Sequence, residues 1–532
     1  MSPPFFCAIF SAVLYLLSFS PWSFHFPTFC HLQWFSFVPF LCSIHSKDIS
    51  NRGLISSTFL ISFCISLGGF YWISYAAQEF AGFGFLASIG TLLIFCLIGQ
   101  IQIPLYFFLR KKALLVIPLK KWVFMSGLIY AGIESFLPKL FKDTAGYAFA
   151  DSLVISQLAD LGGVFFITVL VITFAELFVY SLFENLKFMV FPISIILFSL
   201  FYGNFRIYQI DDVLKQKNGN PSLKVSIVQA NIGNHLKIVS EGNAPNVSSE
   251  VINRYLSFSN IALLEPSDLI VWPETAYPLF FNIHQPVEIQ NLQKRIIDFS
   301  YDKKVSMIFG GYDKDEKGKI YNSVYFLSPF KNLNHDQYLI YHKQMLLMFA
   351  ETLPLYSSLP GLRELFPKIQ FFGQGSGPAI FSVNNSKGKV FKLAPSICYE
   401  GLFHEVTSRG STLGADVLIN FANDSWFGPS GEPYLHLALI KFRTIETRLP
   451  MIRATNTGFS AFIDELGRIK IRTNLFEATT ITSEIKQGLK IKSPYQYMSE
   501  LFGYNWLEFL LQSLVLILIL LLLRLSFKMP TV

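Results

Sequence analysis

Hydropathy divides the chain before any single residue stands out. Residues 1 to about 205 form a series of long apolar runs, about 206 to 505 carry most of the charges and turn residues, and a further apolar run, Leu507 to Leu523, closes the sequence. About 20 apolar residues make a transmembrane helix. Such runs occur near 5–22, 26–45, 54–77, 83–109, 114–137, 155–182, 187–205 and 507–523, with His31, Gln33, Lys120 and Lys121 interrupting or flanking the second and fifth. Between the seventh and eighth, short apolar runs alternate with amphipathic segments. Strands are expected at Val225–Gln229, Leu269–Trp272, Val305–Gly310, Ser323–Leu327, Tyr338–Tyr341, Ala379–Val383, Val390–Ile397, Val417–Phe421 and Met451–Ala454, and helices near 248–264, 286–300 and 432–448. In the last helix Leu435, Leu439, Phe442 and Ile445 make one apolar face, and Lys441, Arg443 and Glu446 are expected to point away from it. The pattern predicts an α/β layered domain, residues 206–505, attached to an α-helical transmembrane bundle of about eight helices: about seven in 1–205 and one in 506–532.

Composition agrees: 52% hydrophobic residues, 15% charged residues and a mean hydropathy of +0.42 are too apolar for an ordinary soluble protein. The net charge of +7 is dispersed, with no basic stripe interleaved with aromatics, so nucleic acid is not an expected partner. The first run lacks a basic leader and a small-residue cleavage pattern, and reads as a retained helix. With the N-terminus inside, Lys47, Arg52, Arg110, Lys111, Lys112, Lys120, Lys121, Lys187, Arg524 and Lys528 fall on the cytoplasmic side, against Lys139, Lys142 and Arg206 outside. An odd number of preceding spans then puts the polar domain on the periplasmic side of a cytoplasmic (inner) membrane; one span more or fewer inverts this. Glu134 and Asp160 lie near span ends, where an interfacial hydrogen bond or ion pair would satisfy them.

Five of the six cysteines, Cys7, Cys30, Cys42, Cys64 and Cys96, fall in apolar runs as small core residues, and only Cys398 follows them. The spacing of Cys and His suggests no metal site, and nothing points to an organic cofactor. Cys398 ends an apolar strand and precedes small, polar and helix-starting residues. There a sulfur is exposed at the sheet edge, with backbone N–H groups near enough to hold an oxyanion. Two other stretches share the design of an apolar strand ending in an ionisable residue: Leu269 to Glu274 and Leu339 to Lys343. Strand ends along one sheet edge can converge. Together the three residues supply what acyl transfer needs: Glu274 as base, Lys343 as oxyanion partner and Cys398 as nucleophile. Taken singly, each also reads as structural: an inert thiol, a turn carboxylate after Pro273, a solvated lysine.

The stretches around Glu274 (Val271 to Thr275), Lys343 (Tyr341 to Gln344) and Cys398 (Ser396 to Phe403) resemble the three active-site motifs of the nitrilase, or carbon-nitrogen hydrolase, superfamily. With its membrane spans the chain resembles the apolipoprotein N-acyltransferase family, through Gln157 to Gly163, Gln229 to Ile232, Asn423 to Gly428 and Arg453 to Gly458 as well. The resemblance implies a nitrilase-like α-β-β-α sandwich and a two-step reaction outside the cytoplasmic membrane. Cys398 would take an acyl chain from a phospholipid donor as a thioester, and the N-terminal amine of a diacylglyceryl-cysteine on an apolipoprotein acceptor would receive it. Glu351 matches a supporting glutamate, and Tyr399 and Glu400 follow the nucleophile as in the family. Two departures stand out: Met348-Phe349-Ala350 replaces a usual Pro-Phe-Gly before Glu351, and Ile238 follows Lys237 where tryptophan is common.

Met345 to Phe349 and the group Leu365, Phe366, Ile369, Phe371 and Phe372 place large apolar residues on connections. Leu346 and Phe349 are candidates for a lid that admits acyl chains and keeps water from the thioester, beside the plainer reading of loops packed on the domain. Two other functions stay open at this point: a membrane-tethered amidase or nitrilase hydrolysing a small amide, and a non-catalytic membrane scaffold.

Overall fold

The computed structural model describes residues 3–45, 49–79, 82–216, 219–234, 236, 245–281, 286–329, 338–353, 371–489 and 491–526. Among them five helices are long and apolar enough to cross a membrane: Asn51–Phe70, Phe85–Ala113, Ala159–Phe183, Leu186–Gln216 and Trp506–Arg524. Pro4–Ser18 is apolar but shorter. Two of the eight expected spans take another form. The run near 26–45 is a 3-10 helix, Pro27–Phe35, followed by the short helix Val38–His45. Pro39, in the middle of the run, lacks the N–H that one continuous helix needs there, whereas Pro27 stands at the first helical position, which needs none. The run near 114–137 becomes the helix Leu119–Phe136, whose 18 residues include Lys120, Lys121 and Glu134. The helix expected to end near 205 continues to Gln216, and the first strand starts at Ser222.

Glu134 and Asp160 are paired, as their position near span ends suggested. Glu134 accepts from Lys139 at 2.9 Å. Asp160 accepts from Arg206 at 2.6 Å and from Arg448, in the polar domain, at 2.5 Å. Both ends of each pair are buried, so losing one partner would leave a charge without compensation.

Among the described residues the polar domain contains twelve strands: β1 (Ser222–Gln229), β2 (Leu269–Val271), β3 (Ser306–Lys314), β4 (Ile320–Leu327), β5 (Leu339–His342), β6 (Phe381–Asn384), β7 (Val390–Ile397), β8 (Val417–Ala422), β9 (Met451–Thr455), β10 (Ala461–Ile463), β11 (Ile469–Arg472) and β12 (Thr479–Lys486). They form two six-stranded sheets, β12-β1-β2-β3-β4-β5 and β11-β10-β9-β8-β7-β6. β1, β2 and β3 are parallel, and two antiparallel steps through β4 make β5 run with them. β7, β8 and β9 are parallel in the second sheet. Val225, Val271, Ile308 and Phe326 of the first sheet pack face to face with Leu393, Ile419 and Ile452 of the second. The helices Pro245–Ala262 and Val287–Lys303 cover the outer face of the first sheet, and Glu432–Thr447 covers that of the second. With both faces of the central strands covered, their sequences run nearly continuously apolar rather than alternating.

The helix Glu432–Thr447 departs from expectation. Leu435, Leu439, Phe442 and Ile445 do share a face, but it packs into the membrane part's core, while Leu437 and Ile440 face the sheet. Arg443 and Glu446 do not point to solvent: they are buried, 2.8 Å apart, and Arg443 also donates to Tyr147 Oη at 3.0 Å. Lys441 pairs with Asp151 at 3.2 Å. A helix held between a sheet and a membrane bundle has no solvent side, so its charges find partners across the interface.

Candidate active site

The C-terminal ends of β2, β5 and β7 carry the three residues expected to converge, and they meet. Lys343 Nζ lies 2.8 Å from Glu351 Oε1 and 3.6 Å from Glu274 Oε1. Asn322 Nδ2, from β4, donates to Glu274 Oε1 at 2.8 Å and to Glu351 Oε1 at 3.2 Å. The other Glu351 oxygen accepts the Leu347 N–H at 2.8 Å. Lys343 is 1% exposed, and Glu274 and Glu351 are 7% exposed each. Glu274 reaches this position because Gly310 on β3 has no side chain: a Cβ there would sit 2.5 Å from the Thr275 nitrogen and 2.7 Å from the Glu274 Cα.

Cys398 follows β7 directly and opens the 3-10 helix Cys398–Leu402. Its φ is +52°, in the left-handed region that costs a non-glycine residue about 1–3 kcal/mol and persists only where the surroundings over-determine it. Glu400 supplies much of that constraint. One oxygen accepts from Ile397 N at 2.7 Å and from Tyr341 Oη at 2.9 Å, the other from Met345 N at 2.9 Å and from Gln344 N. Tyr341 is the penultimate residue of β5. One buried carboxylate therefore ties the turn after Lys343 to the turn holding Cys398, across the two sheets.

The electrostatics divide the labour. Burial works against the Lys343 ammonium, but the Glu351 and Glu274 carboxylates outweigh it and push its pKa up, so it stays charged. Burial pushes the Cys398 thiol well up, with Glu274 adding to the rise and Lys343 opposing it. Cys398 therefore rests as a thiol and would need a base to act as a nucleophile. Burial pushes Glu400 up to about 7 against the pull of its N–H donors, and pushes Tyr399 up to about 12 with Lys343 opposing.

Tyr399 and Leu402 join the core of the membrane helices. The Tyr399 ring meets Phe141 at 6.3 Å, and Phe427 meets Trp72 at 5.1 Å, so the turn beyond the nucleophile rests on the membrane part. On the Lys343 side Leu346 is half-buried, whereas Met348 and Phe349 are 46% and 56% exposed. Phe349 takes a φ of +64° where the family's usual sequence has a neighbouring glycine. Of the other apolar loop residues, Phe372 stacks on Tyr312 at 5.7 Å, while Leu365, Phe366 and Ile369 lie outside the described residues, as do Lys237 and Ile238.

A carbon-nitrogen hydrolase family model matches residues 224–492, and an apolipoprotein N-acyltransferase N-terminal domain model matches residues 11–177. The apolipoprotein N-acyltransferase of Bdellovibrio bacteriovorus is 30% identical over 525 residues, which span 95% of this chain and 91% of its own. The chain belongs to the apolipoprotein N-acyltransferase family. Family members from Geobacter metallireducens and Haemophilus ducreyi are 28% and 31% identical over 90% and 80% of this chain, covering 89% and 82% of their own lengths. Among solved structures, Saccharomyces cerevisiae Nit3, a member of branch 10 of the nitrilase superfamily, matches at 16% identity and a TM-score of 0.38, over 53% of this chain and 94% of that one. Family membership makes the chain a membrane-integral acyltransferase.

The sequence reading passed over Asn322, which bridges two carboxylates of this candidate site. Its signal was an amide beside Ser323 in a strand whose other residues are apolar or aromatic. The motif beginning at Gln229 is structural: Gln229 Oε1 accepts from Ser460 at 2.7 Å and Thr473 at 2.9 Å, and Ile232 N donates to Asn456 Oδ1 at 2.8 Å. Gln157 likewise accepts from Arg448 at 2.8 Å, beside Asp160.

Proposed function

We propose that this chain transfers an acyl chain from a phospholipid, through a thioester on Cys398, to the N-terminal amine of the diacylglyceryl-cysteine of apolipoproteins. The observation that carries the reading is the meeting of Glu274 and Lys343, after strands of one sheet, with Cys398, after a strand of the other, on the turn that rests on membrane helices. In the first step Glu274 takes the thiol proton as Sγ attacks the ester carbonyl. The oxyanion forms beside the Lys343 ammonium, which Glu351 and Glu274 keep charged. Collapse breaks the ester C–O bond, and the proton on Glu274 passes to the departing lysophospholipid oxygen. In the second step the neutral amine attacks the thioester, Glu274 removes its proton, and that proton returns to sulfur as the C–S bond breaks. The products are an amide and free Cys398.

Glu351 and Glu400 position Lys343 and the nucleophile turn, and Tyr399 seats that turn on the membrane part. Leu346 and Phe349 are the residues assigned to lipid access, and the exposed apolar surface of Phe349 favours a lipid donor over a small amide. The catalytic domain, expected over 206–505 and starting with β1 at Ser222 because the preceding helix runs to Gln216, lies outside the inner membrane, anchored by the N-terminal helices and by 506–532. Two of the basic residues counted on the outer side, Lys139 and Arg206, are neutralised by buried carboxylates, which is consistent with that orientation.

The test uses the full chain in vesicles of phospholipid with isotopically labelled acyl chains and a diacylglyceryl-cysteinyl peptide. The peptide should gain one labelled acyl chain as an amide, with stoichiometric lysophospholipid, and Cys398→Ala should abolish both. Equal peptide acylation by Cys398→Ala would reject the reading.

A further inference from the structure

Behind the nucleophile lies a buried polar ladder that the chemistry above leaves unused. Ser396, Asn420 and Arg453 are in register across β7, β8 and β9, two residues before the nucleophile turn. Asn420 Nδ2 faces Ser396 Oγ at 3.1 Å and donates to the Cys398 carbonyl at 3.3 Å. Asn420 Oδ1 accepts from Arg453 Nη1 at 2.7 Å, and Arg453 Nη2 donates to Asp424 Oδ2 at 3.2 Å. His436 Nδ1 closes the chain 3.1 Å from the other Asp424 oxygen. Asn420, Asp424 and Arg453 have no solvent exposure.

A fully buried arginine is poor value for stability alone, because well-packed apolar side chains fill such a place as well or better. Its geometry gives it another use. The planar fork presents two N–H donors in fixed directions, so one guanidinium holds Asn420 and Asp424 at once, which a lysine ammonium does not reproduce. The chain makes room for this carboxylate: at Gly458 a Cβ would come within 2.0 Å of Asp424 Oδ2. Asp424, Glu432 and His436 bring three ligand-type atoms within 4.8 Å of one another, but the guanidinium already supplies the positive charge at Asp424. Two members of the network reach the catalytic turn: the Asn420 amide on the carbonyl of left-handed Cys398, and His436, which also hydrogen-bonds the Cys398 backbone.

We propose that Arg453 is a positioning residue for acyl transfer: by bridging Asn420 and Asp424 it holds the Asn420 amide on the Cys398 carbonyl and keeps the thiol aimed between Glu274 and Lys343. This rests on the reading of Cys398 as the nucleophile. Arg453 touches no reacting atom, so its effect is on the rate of the chemical step and not on lipid binding. A misplacement of about 1 Å at the reacting atom slows such a step about a hundredfold.

Two full-length variants test it in phospholipid vesicles. Arg453→Lys keeps the charge but loses the fork; Asn420→Asp keeps a partner for Arg453 but loses the amide donor. The readouts are the rate of acyl-adduct formation on Cys398 by intact mass, KM for phospholipid, and the thermal midpoint, with Arg448→Lys at the domain interface as a control for lost stability. Both variants should acylate about a hundredfold more slowly with KM unchanged, whereas Arg448→Lys, compared below its midpoint, should acylate at the wild-type rate. Wild-type acylation by folded Arg453→Lys, or slowing no greater than that of an equally destabilised Arg448→Lys, overturns the proposal. Failure of both variants to fold also overturns it, since the ladder would then be a folding element. An absent adduct on the wild-type chain instead overturns the nucleophile reading.

Discussion

Glu351→Gln is the most informative single change at the site. Lys343 Nζ is 2.8 Å from Glu351 Oε1 and 3.6 Å from Glu274 Oε1, in a setting where Lys343 is 1% exposed. At an effective dielectric constant of about 20 these attractions are about 6 and about 5 kcal/mol. Glutamine removes the larger one with little change of shape. It also cannot reproduce the hydrogen bonds: one Glu351 oxygen accepts from Lys343 and Asn322, the other from Leu347 N, so either amide orientation sets an NH2 against a donor. A buried polar group left so costs about 1–3 kcal/mol. Set against the desolvation these charges already bear, the expected net loss is about 3–5 kcal/mol of stability. Glu274 then becomes the principal counter-ion of Lys343 and a weaker base for the thiol, so acylation of Cys398 should slow by about 10²–10⁴. Thermal unfolding in detergent and single-turnover acylation from phospholipid give the two numbers. A folded variant that acylates at the wild-type rate would refute the coupling of these carboxylates.

Three further outcomes follow from named contacts. Glu400 is pushed up from 4.5 to about 7, so the folded state keeps a proton that the unfolded chain releases; this stabilisation is full below about pH 4.5 and is lost as pH rises to about 7, roughly 3 kcal/mol in all. Thermal midpoints should therefore fall over that window for wild type relative to Glu400→Gln, and parallel curves would contradict the burial argument. Leu346→Ser with Phe349→Ser should slow acylation by phospholipid more than by a short soluble ester, and an equal loss on both donors would remove these residues from lipid access. Asp160→Asn leaves Arg206 and Arg448 without their carboxylate and should lose about 3–5 kcal/mol of stability while its rate below the midpoint holds; a slower rate without thermal loss would contradict its role as an interface latch.

Hydropathy made the two-part architecture legible, because apolar runs of membrane length and short buried strands differ in period and length. Nine strand positions and three of the polar domain's helices could be read from the same signal, while the nine-residue helices His404–Thr412 and Pro494–Phe502 could not. β10, β11 and β12 could not: β10 has three residues, and β11 and β12 mix Lys, Arg, Thr and Ser with their few apolar positions. The membrane part was less legible where a proline splits a run, as at Pro39, or where charges sit inside a helix, as in Leu119–Phe136. The polar face of Glu432–Thr447 was misread because amphipathicity tells that a face is polar, not whether water or another domain covers it.

The candidate site was legible in outline because Glu274, Lys343 and Cys398 each follow an apolar strand, though they meet from two facing sheets and not along the single edge expected, since β2 and β5 belong to one sheet and β7 to the other. Glu274, Lys343 and Cys398 could be named that way. Of the residues that hold them, Glu351, Tyr399 and Glu400 could be named only through the family resemblance, and others not at all. Asn322, Asn420 and Arg453 lie inside strands, where a polar residue looks like a flaw until its partner across the ladder is known. Tyr399 gave no sign of its contact with Phe141, which is more than 250 positions away.

The central claim is that Cys398 carries the acyl chain between donor and acceptor, and intact mass spectrometry after incubation with phospholipid tests it most directly. The account predicts one acyl-sized adduct on the wild-type chain, labile to hydroxylamine, absent from Cys398→Ala, and discharged when a diacylglyceryl-cysteinyl peptide is added. An adduct that persists in Cys398→Ala, or a correctly folded wild-type chain that acylates the peptide without ever carrying the chain itself, would contradict it.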